Sequence, residues 1–261
     1  MLILLPPSEG KSRPVDGPLL DLEQLSMPAL DKSRQRVLSA LIKLCQGRPI
    51  RARTVLGLST GQDAEIELNA LLETAPTAAA ADVYSGVVYE YLGYRTMSAT
   101  RRRRLDRWIV VSSALWGSVR LTDNIPSYRL SGAVTLPRIG PLGQFWRKPL
   151  GHVLPEMSDG GPILDLRSGT YAKMWTPHAD LAPHMAVGRV LQEMPDGSTK
   201  VVSHHNKATK GRLVRDLSRI SRAPASVAEL ADVIESLGYH VGVRHPAGAK
   251  PAQLDIIVRD L

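Results

Sequence analysis

The chain of 261 residues contains a single cysteine, Cys45. One thiol cannot close an internal disulfide, so the sequence excludes a small secreted protein held together by disulfides, as well as a cysteine-rich zinc site. Cys45 also has no second cysteine to resolve an oxidised thiol, and no basic motif lies beside it. We therefore do not expect it to be a redox sensor.

Long hydrophobic runs are absent too. No stretch approaches the roughly 18 uninterrupted apolar residues that a membrane-spanning helix needs, which argues against a polytopic membrane protein. The first five residues, 1–5, lack a basic segment and run directly into Pro6-Pro7, unlike a signal peptide. We therefore expect a cytoplasmic protein.

The composition is otherwise that of a globular protein. Hydrophobic residues make up 43% of the chain and charged residues only 22%, which excludes intrinsic disorder as a description of the whole. A chain of this length can bury a sizeable core. No internal repeat and no long linker divides it, so we predict one domain over residues 1–261.

The charge balance is strongly basic. There are 33 Lys and Arg residues against 25 Asp and Glu, which gives a net charge of +8. Arginine dominates among the basic residues, and this excess has two open explanations. A GC-rich coding sequence produces it without any functional cause, whereas a basic surface that binds polyanions such as nucleic acid requires it.

Hydrophobic periodicity and turn residues predict the secondary structure. Strands are predicted over residues 2–5, 55–58, 108–112, 134–136, 162–166, 185–193, 199–204 and 254–258, with a hairpin turn at 195–197. Helices are predicted over residues 29–45, 63–73, 143–150, 207–220 and 226–237, and in part over 75–94. This order is neither an alternating βαβ series nor all-β. We predict an α+β fold with a mixed central sheet.

Polar side chains follow several predicted strands, and loops at strand ends are where functional sites concentrate. Lys11 ends a Ser-Glu-Gly-Lys loop after the first strand, where an ammonium and backbone N–H groups can hold an anion. Ser113 opens a second such segment. In it, the guanidinium groups of Arg120 and Arg129 could bind a phosphate, while Asp123 holds one of the two arginines in place. The alternatives are a solvated lysine and a surface ion pair of little energetic value.

Three further groups belong to the candidate site. Tyr128 lies in the same segment as Arg129, and Ser168 and Tyr171 follow a third strand. If the protein is an enzyme, Lys11, Asp123, Tyr128, Ser168 and Tyr171 are the candidates for catalysis. As ligand-binding residues we predict Lys11, Ser113, Arg120, Arg129, Lys207, Lys210 and Arg215, of which Lys207 and Lys210 share one face of a helix.

Other conspicuous residues carry weaker predictions. Residues 101–104 are four consecutive arginines, which we interpret as a solvated helix face whose Leu105 and Trp108 point inward. His204 and His205 are adjacent, so on a strand they would point to opposite faces and could not jointly bind a metal. We predict no metal site and no cofactor.

Taken in order along the chain, these segments resemble the YaaA peroxide-stress-response family. The motifs are a strand followed by Lys, then Val-Tyr, Ser-x-x-x-Gly-x-x-Arg-x-x-Asp-x-x-x-x-Tyr-Arg-Leu, Phe-Trp, Ser-x-x-Tyr, a late Lys-x-x-Lys-Gly-x-x-x-Arg and Gly-Tyr. The residues that fit are Lys11, Ser113, Gly117, Arg120, Asp123, Tyr128, Arg129, Leu130, Phe145, Trp146, Ser168, Tyr171, Lys207, Lys210, Gly211 and Arg215. The opening loop, the residues between Arg120 and Asp123, and the late basic motif depart from the family pattern, which suggests a divergent branch.

The resemblance implies a compact α+β fold with a positively charged cleft and a helix-hairpin-helix-like element. It also implies duplex DNA binding and protection from peroxide damage linked to free iron. Two functions therefore remain open. The first is binding of duplex DNA or another phosphate-bearing ligand in the cleft. The second is a metal-independent enzyme that acts on a nucleotide or nucleoside, by base–sugar cleavage or group transfer.

Overall fold

The computed structural model describes residues 1–194, 198–200, 203–245, 248 and 250–258. Its strands are β1 (Leu2–Leu5), β2 (Ala78–Ala79), β3 (Ile109–Ser113), β4 (Gly117–Val119), β5 (Asn124–Ile125), β6 (Thr135–Leu136), β7 (Gly140–Pro141), β8 (Ile163–Asp165), β9 (Met185–Glu193), β10 (Thr199–Lys200), β11 (His240–Arg244) and β12 (Ala252–Val258). Its α-helices are α1 (Asp31–Cys45), α2 (Pro49–Leu56), α3 (Asp63–Ala70), α4 (Ala80–Val83), α5 (Val87–Leu92), α6 (Ala99–Trp108), α7 (Leu142–Phe145), α8 (Arg147–Met157), α9 (Gly169–Ala172), α10 (Ser203–Leu217) and α11 (Val227–Ser236). Short 3-10 turns occupy Leu22–Gln24, Pro28–Leu30, Thr60–Gln62, Tyr94–Thr96 and Ala182–His184.

A mixed, mostly parallel sheet forms the centre of the fold. Its strand order is β11-β12-β9-β8-β1-β3-β4, and β10 pairs with β9 off this path. The pairs β12–β9, β9–β8, β8–β1 and β1–β3 are parallel, whereas β11–β12, β3–β4 and β9–β10 are antiparallel. The predicted mixed central sheet is confirmed.

The N-terminal strand lies near the middle of this sheet because both of its faces are apolar. All four residues of β1 are fully buried, and Ile3 pairs with Ile109 on one side and with Leu164 on the other. A continuous apolar run of this kind is typical of a parallel strand covered on both faces. The carboxyl ends of β1, β3 and β8 consequently meet at one edge of the sheet, which we call the carboxyl edge.

Helices pack around the sheet through apolar faces. Helix α10 lies against α5 and β9, and α1 lies against α3. Leu105 and Trp108 of α6 are buried, as the spacing predicted. Within the described residues, no helix is long and apolar enough to cross a membrane.

The strand predicted over residues 55–58 is wrong, since residues up to Leu56 belong to α2. Pro49 occupies the first turn of this helix, and Gly57 ends it in the left-handed conformation with φ 66°. Proline at the start and glycine after the end are strong helix-boundary signals, which outweigh the apolar run. Five of the described strands, β2, β4, β5, β7 and β11, were not predicted.

The predicted pair of strands around residues 195–197 is confirmed in part. Strand β10 pairs antiparallel with β9, with Thr199 opposite Glu193, while residues 195–197 lie outside the described residues. The predicted extension of this strand to His204 is wrong, because α10 begins at Ser203. His204 and His205 are therefore helical, and the argument from opposite faces of a strand does not apply to them.

Candidate functional site

The loop after β1 brings Lys11 to the carboxyl edge. Lys11 forms an antiparallel bridge with Tyr84, and the adjacent main-chain N–H of Ser12 donates to the carbonyl of Val83 at 2.8 Å. On the other flank, the Ser8 hydroxyl accepts from the main-chain N–H of Ser85 at 3.0 Å. The loop is therefore anchored on both sides of the lysine.

The Lys11 ammonium lies among main-chain oxygens and aromatic rings. Its Nζ donates to the carbonyl oxygens of Ser8 at 2.9 Å and Glu9 at 3.4 Å. It also lies 4.2 Å from the centre of the Tyr128 ring and 5.7 Å from that of Tyr84. Rings at this distance attract a cation through their quadrupole.

The pKa of Lys11 is strongly lowered. Burial, followed by the nearby charge of Arg129, lowers the pKa of Lys11 to about 7, against the opposing pull of Glu9 and Glu65. Burial disfavours the charged form of an amine because the ion loses hydration. At neutral pH a large share of Lys11 is therefore the free amine.

Arg129 is held beside this lysine from two sides. Its main-chain N–H donates to Asn69 Oδ1 at 2.9 Å, and its carbonyl accepts from Asn69 Nδ2 at 2.8 Å. Its guanidinium donates to the Glu9 carboxylate at 3.0 Å and to the Glu9 carbonyl at 3.2 Å. The Glu9 side chain is 76% exposed, so this ion pair is weak.

Ser113, the last residue of β3, organises a buried cluster of hydroxyl groups. Its Oγ accepts from the main-chain N–H groups of Leu115 at 3.2 Å and Trp116 at 3.0 Å. Since these bonds use its lone pairs, its own hydrogen is left for Tyr128 Oη at 2.7 Å. The Tyr128 hydroxyl in turn lies 3.0 Å from that of Tyr84.

The two phenols of this cluster stay protonated. Burial raises the pKa of both Tyr84 and Tyr128 far above the ordinary value of tyrosine. At neutral pH they can donate hydrogen bonds or a proton but cannot act as bases. Tyr128 was predicted as a candidate for acid–base chemistry, and its surroundings suit the acid role alone.

Ser168 and Tyr171 lie at the start of α9, at the same edge of the sheet. Burial is the main cause that raises the pKa of Tyr171 to about 12, and the charges of Glu9 and Arg129 also act on it. Its hydroxyl lies 3.4 Å from the main-chain nitrogen of Gly132. Ser168 precedes the helix and is exposed.

Helix α10 delivers two lysines with different surroundings. Lys210 donates to the carbonyl of Leu166 at 2.9 Å, and the N–H of Leu166 donates to Leu4 of β1 at 2.9 Å. This places Lys210 at the carboxyl edge, where burial lowers its pKa. Lys207, one turn earlier, is exposed.

Asp123 and Arg120 have structural partners. The Asp123 carboxylate accepts from Ser26 N at 3.0 Å, Ser26 Oγ at 2.7 Å and the main-chain N of Arg120 at 2.9 Å. It therefore holds the Ser26 loop rather than an arginine side chain. The Arg120 guanidinium donates to the carbonyls of Arg107 at 2.5 Å and Ile109 at 3.3 Å. These lie at the end of β3 opposite to Ser113, so Arg120 is not beside Lys11.

Arg215 also contacts protein groups. Its Nη1 lies within hydrogen-bond distance of the carbonyls of Leu92 and Gly93, both at 3.3 Å, and of Thr96 Oγ1 at 3.1 Å. A cation at the carboxyl end of a helix satisfies carbonyl groups that have no intrahelical partner. The structure thus brings Lys11, Ser113, Tyr128, Arg129, Tyr171 and Lys210 to the carboxyl edge but places Arg120 and Arg215 in structural contacts.

The interpretation of residues 101–104 as a solvated face is wrong for two of the four arginines. Arg101 donates to Ser218 Oγ at 2.7 Å and to the Arg215 carbonyl at 2.7 Å. Arg104 donates to the Ser218 carbonyl at 2.5 Å. Both therefore cap the carboxyl end of α10, and Arg103 is exposed.

Sequence reasoning missed a fully buried arginine. Arg34 donates to the carbonyls of Ser26 at 2.7 Å, Ser118 at 2.9 Å and Trp116 at 3.2 Å, and to Asp31 Oδ1 at 2.9 Å. It is on the apolar face of α1, three and four residues before Val37 and Leu38 in the sequence. An arginine on the buried face of an amphipathic helix was the available signal.

A basic groove lies between the end of α1, the start of α2 and the β6–β7 turn. It encloses about 890 Å³, and none of its lining residues is acidic. Its basic residues are Lys43, Arg48, Arg51 and Arg138. None of them was predicted as a site residue, because only folding brings Arg138 beside the other three.

The described residues contain no group of three or more His, Cys, Asp or Glu side chains placed to hold a metal ion. Cys45 is buried, and burial raises the pKa of its thiol to about 11. A thiol in this state reacts slowly with oxidants.

Comparison with known proteins identifies relatives along the whole chain. Residues 1–243 match the family model described as "Peroxide stress protein YaaA". A UPF0246 protein of Streptomyces coelicolor is 46% identical over 262 residues, which cover 100% of both chains. A UPF0246 protein of Corynebacterium efficiens is 38% identical over 93% of this chain and 95% of its own. The chain therefore belongs to the YaaA peroxide stress protein family.

Proposed function

We propose that this protein is a cytoplasmic member of the peroxide stress response that binds a phosphate-bearing ligand at the carboxyl edge, and that the ligand is duplex DNA. We also propose that residues 1–261 act as one YaaA-like domain. The observation that carries the proposal is Arg129 beside Lys11, which is a cation in part at neutral pH; among the described residues the carboxylate paired with Arg129 is Glu9, and it is 76% exposed.

Two like charges at one site repel each other, and a bound anion relieves this repulsion. An exposed glutamate is a weak partner for Arg129, so a phosphate can replace it at little cost. Arginine suits this role because its planar fork matches the oxygens of a phosphate group. Lys210 adds a third cation at the same edge, and Lys207 adds a fourth on the exposed side of α10.

Duplex DNA fits a surface with several separate cations. The basic groove formed by Lys43, Arg48, Arg51 and Arg138 supplies four more, without an acidic residue among its lining. Phosphate contacts of this kind give affinity without base specificity. The net charge of +8 attracts the negatively charged DNA before contact is made.

Salt-dependent binding tests this proposal. We expect the affinity for a short fluorescein-labelled DNA duplex to fall steeply between about 50 and about 200 mM salt, because bound phosphates release counterions. Arg129→Gln should weaken binding and reduce the log–log salt slope by about 1. The measurement is fluorescence anisotropy at several salt concentrations.

Lys32→Gln is the matched control, because it removes one positive charge from an exposed residue of α1. It should leave the salt slope nearly unchanged. An affinity that does not respond to salt, or equal effects of Arg129→Gln and Lys32→Gln, would contradict the proposal.

A second candidate function is favoured by the buried hydroxyl cluster. Phosphate binding needs cations and main-chain amides, but it does not need Ser113, Tyr128 and Tyr84 linked behind a lysine whose pKa is about 7. A free amine and a protonated phenol are the groups that acid–base chemistry uses. This arrangement supports an enzyme that acts on a nucleotide or nucleoside, by base–sugar cleavage or group transfer.

A panel of nucleotides and nucleosides, followed by chromatography, tests this second candidate. Lys11→Met and Tyr128→Phe should each abolish turnover, whereas Lys32→Gln should retain it. The enzyme hypothesis would be contradicted if the wild-type protein turns over no member of the panel and binds none in a thermal-shift assay.

A further inference from the structure

Lys11 is a half-buried lysine whose amine has no carboxylate partner among the described residues. Its hydrogen-bond acceptors are the carbonyl oxygens of Ser8 and Glu9, and no carboxylate of the described residues lies within ion-pair distance of its Nζ. A buried lysine that serves only stability is normally paired, because an unpaired buried charge is costly. A role in stability therefore does not explain why Lys11 lies in these surroundings.

The carboxylate of Glu9, in the same loop as Lys11, is paired with Arg129. The distance from the Arg129 guanidinium to this carboxylate is 3.0 Å. Arg129 thus pairs with Glu9 and places a second positive charge near Lys11. Burial and this charge favour the uncharged amine, whereas the charge of Glu9 opposes them.

The remaining groups that face Lys11 do not reverse this effect. Glu9 and, after it, Glu65 favour the charged form of Lys11, and the rings of Tyr84 and Tyr128 attract the ammonium. Burial and Arg129 outweigh them, with the pKa near 7. Free amines at neutral pH are the nucleophiles that enzymes use to form imines with carbonyl compounds.

We propose that Lys11 is a nucleophilic amine that forms an imine with an aldehyde or ketone whose phosphate group binds at Arg129. This inference rests on the phosphate site proposed above and adds the chemical class of its ligand. Lys210, the other buried lysine of this edge, lies beside the Asp165–Arg167 ion pair and donates to a main-chain carbonyl. It is not part of the proposed reaction.

The chemistry is balanced without an oxidant or a reductant. The lone pair of Lys11 Nζ attacks the carbonyl carbon, the carbonyl oxygen takes a proton from solvent, and the nitrogen releases one proton to solvent, which gives a neutral carbinolamine. A second proton from solvent lets the hydroxyl group leave as water, and the nitrogen releases its remaining proton to solvent as the C=N bond forms. The net reaction converts one amine and one carbonyl compound into one imine and one water molecule.

Reductive trapping with pyridoxal 5′-phosphate tests the proposal, because this probe carries both an aldehyde and a phosphate. The full chain is incubated with the probe at pH 7, reduced with sodium borohydride to a stable secondary amine, and mapped by peptide mass spectrometry. We expect Lys11 to be labelled at least about tenfold faster than the exposed Lys32 of α1, since an ordinary lysine with a pKa near 10.4 is almost fully protonated there.

The pH profile and a second probe complete the test. Labelling of Lys11 should reach half of its maximum near pH 7, whereas labelling of Lys32 should continue to rise far above this pH. Pyridoxal, which lacks the phosphate, should label Lys11 more slowly than the phosphorylated probe does. Arg129→Gln should remove this difference, and Lys11→Arg should lose the adduct at this position while keeping the positive charge.

The outcomes separate this inference from the function on which it rests. If Lys11 reacts no faster than Lys32 at pH 7, the imine proposal is overturned, even where Arg129-dependent DNA binding persists. If Lys11 reacts fast but equally with both probes, the amine is supported and the phosphate site is overturned. Fast labelling that depends on both the phosphate and Arg129 supports both.

Discussion

Arg34 and Lys11 are both largely withdrawn from solvent, but their surroundings differ in what they offer a positive charge. Arg34 is fully buried, and its guanidinium donates hydrogen bonds to three main-chain carbonyls and to the carboxylate of Asp31. Lys11 has main-chain carbonyls and aromatic rings alone at close range. The first arrangement stabilises the protein, and the second keeps an amine available for chemistry.

Replacement of Arg34 should cost more stability than that of any exposed cation on the same helix. Arg34→Met leaves three buried carbonyls without their donor and Asp31 without its partner, and we expect a loss of about 3–5 kcal/mol in the free energy of unfolding. Urea denaturation followed by circular dichroism measures it. Lys32→Met, on the exposed side of α1, should change it by less than about 0.5 kcal/mol. Similar losses in both variants would show that the buried contacts of Arg34 contribute little.

At the scale of elements, the packing of α10 against α5 depends on a glycine. A Cβ atom on Gly211 would lie 2.3 Å from the carbonyl oxygen of Val88 and 2.9 Å from both the nitrogen of Leu92 and the Cβ of Tyr91. The two helices approach so closely only because this side chain is a hydrogen atom. Since α10 carries Lys207 and Lys210, the contact also positions cations of the carboxyl edge.

Alanine substitutions separate helix propensity from packing. Gly211→Ala should destabilise the protein by about 1–3 kcal/mol, because overpacking against α5 outweighs the gain in propensity. Gly151→Ala in α8 is the matched control, since nothing lies within 4 Å of its added Cβ, and it should stabilise by about 0.5–1 kcal/mol. Thermal unfolding measures both. A stabilised Gly211→Ala variant would mean that the helices can separate without cost.

At the scale of the whole molecule, the topology of the sheet decides which cations act together. Three parallel strands, β1, β3 and β8, end at one edge, and the loops after them carry the groups of the candidate site. In the folded protein the Arg120 guanidinium lies at the amino end of β3, away from the carboxyl edge, and Arg215 lies at the carboxyl end of α5. The basic residues behind the net charge of +8 are therefore divided between structural contacts, the carboxyl edge and the basic groove.

Global stability should depend on pH through Lys11. Its pKa is lowered from 10.5 to about 7 on folding, so between these values the unfolded chain binds a proton that the folded chain lacks. Stability then rises with pH across this window, and the cost of the buried charge is fully present below pH 7.

Comparison with Lys11→Met isolates this effect. Wild type should gain on the order of 1–2 kcal/mol relative to the variant between about pH 7 and about pH 9. Urea denaturation at a series of pH values measures the difference, in which the contribution of Lys210 cancels. Parallel profiles of the two proteins would show that Lys11 has an ordinary pKa.

Much of the fold and part of the site could be predicted from local sequence. The apolar runs at 2–5 and 162–166 predicted strands, and the polar loops after strands predicted Lys11, Ser113 and Arg129, because functional sites concentrate in loops at strand ends. The strand predicted at 55–58 failed because its flanking proline and glycine were not weighed against its hydrophobicity. The strand predicted through 204 failed where a helix begins.

The sequence by itself determined the family, the mixed sheet, the basic character and most residues of the carboxyl edge, since each of these depends on residue type and order along the chain. Tertiary structure alone decided which cations are free for a ligand. Asp123 and Arg215 contact partners far away in the sequence, Arg120 contacts carbonyl groups 13 and 11 residues before it, Arg34 is a buried contact, and Glu9 pairs with Arg129 instead of Lys11. Burial and the distance between charges set these outcomes, and both exist only after the chain has folded.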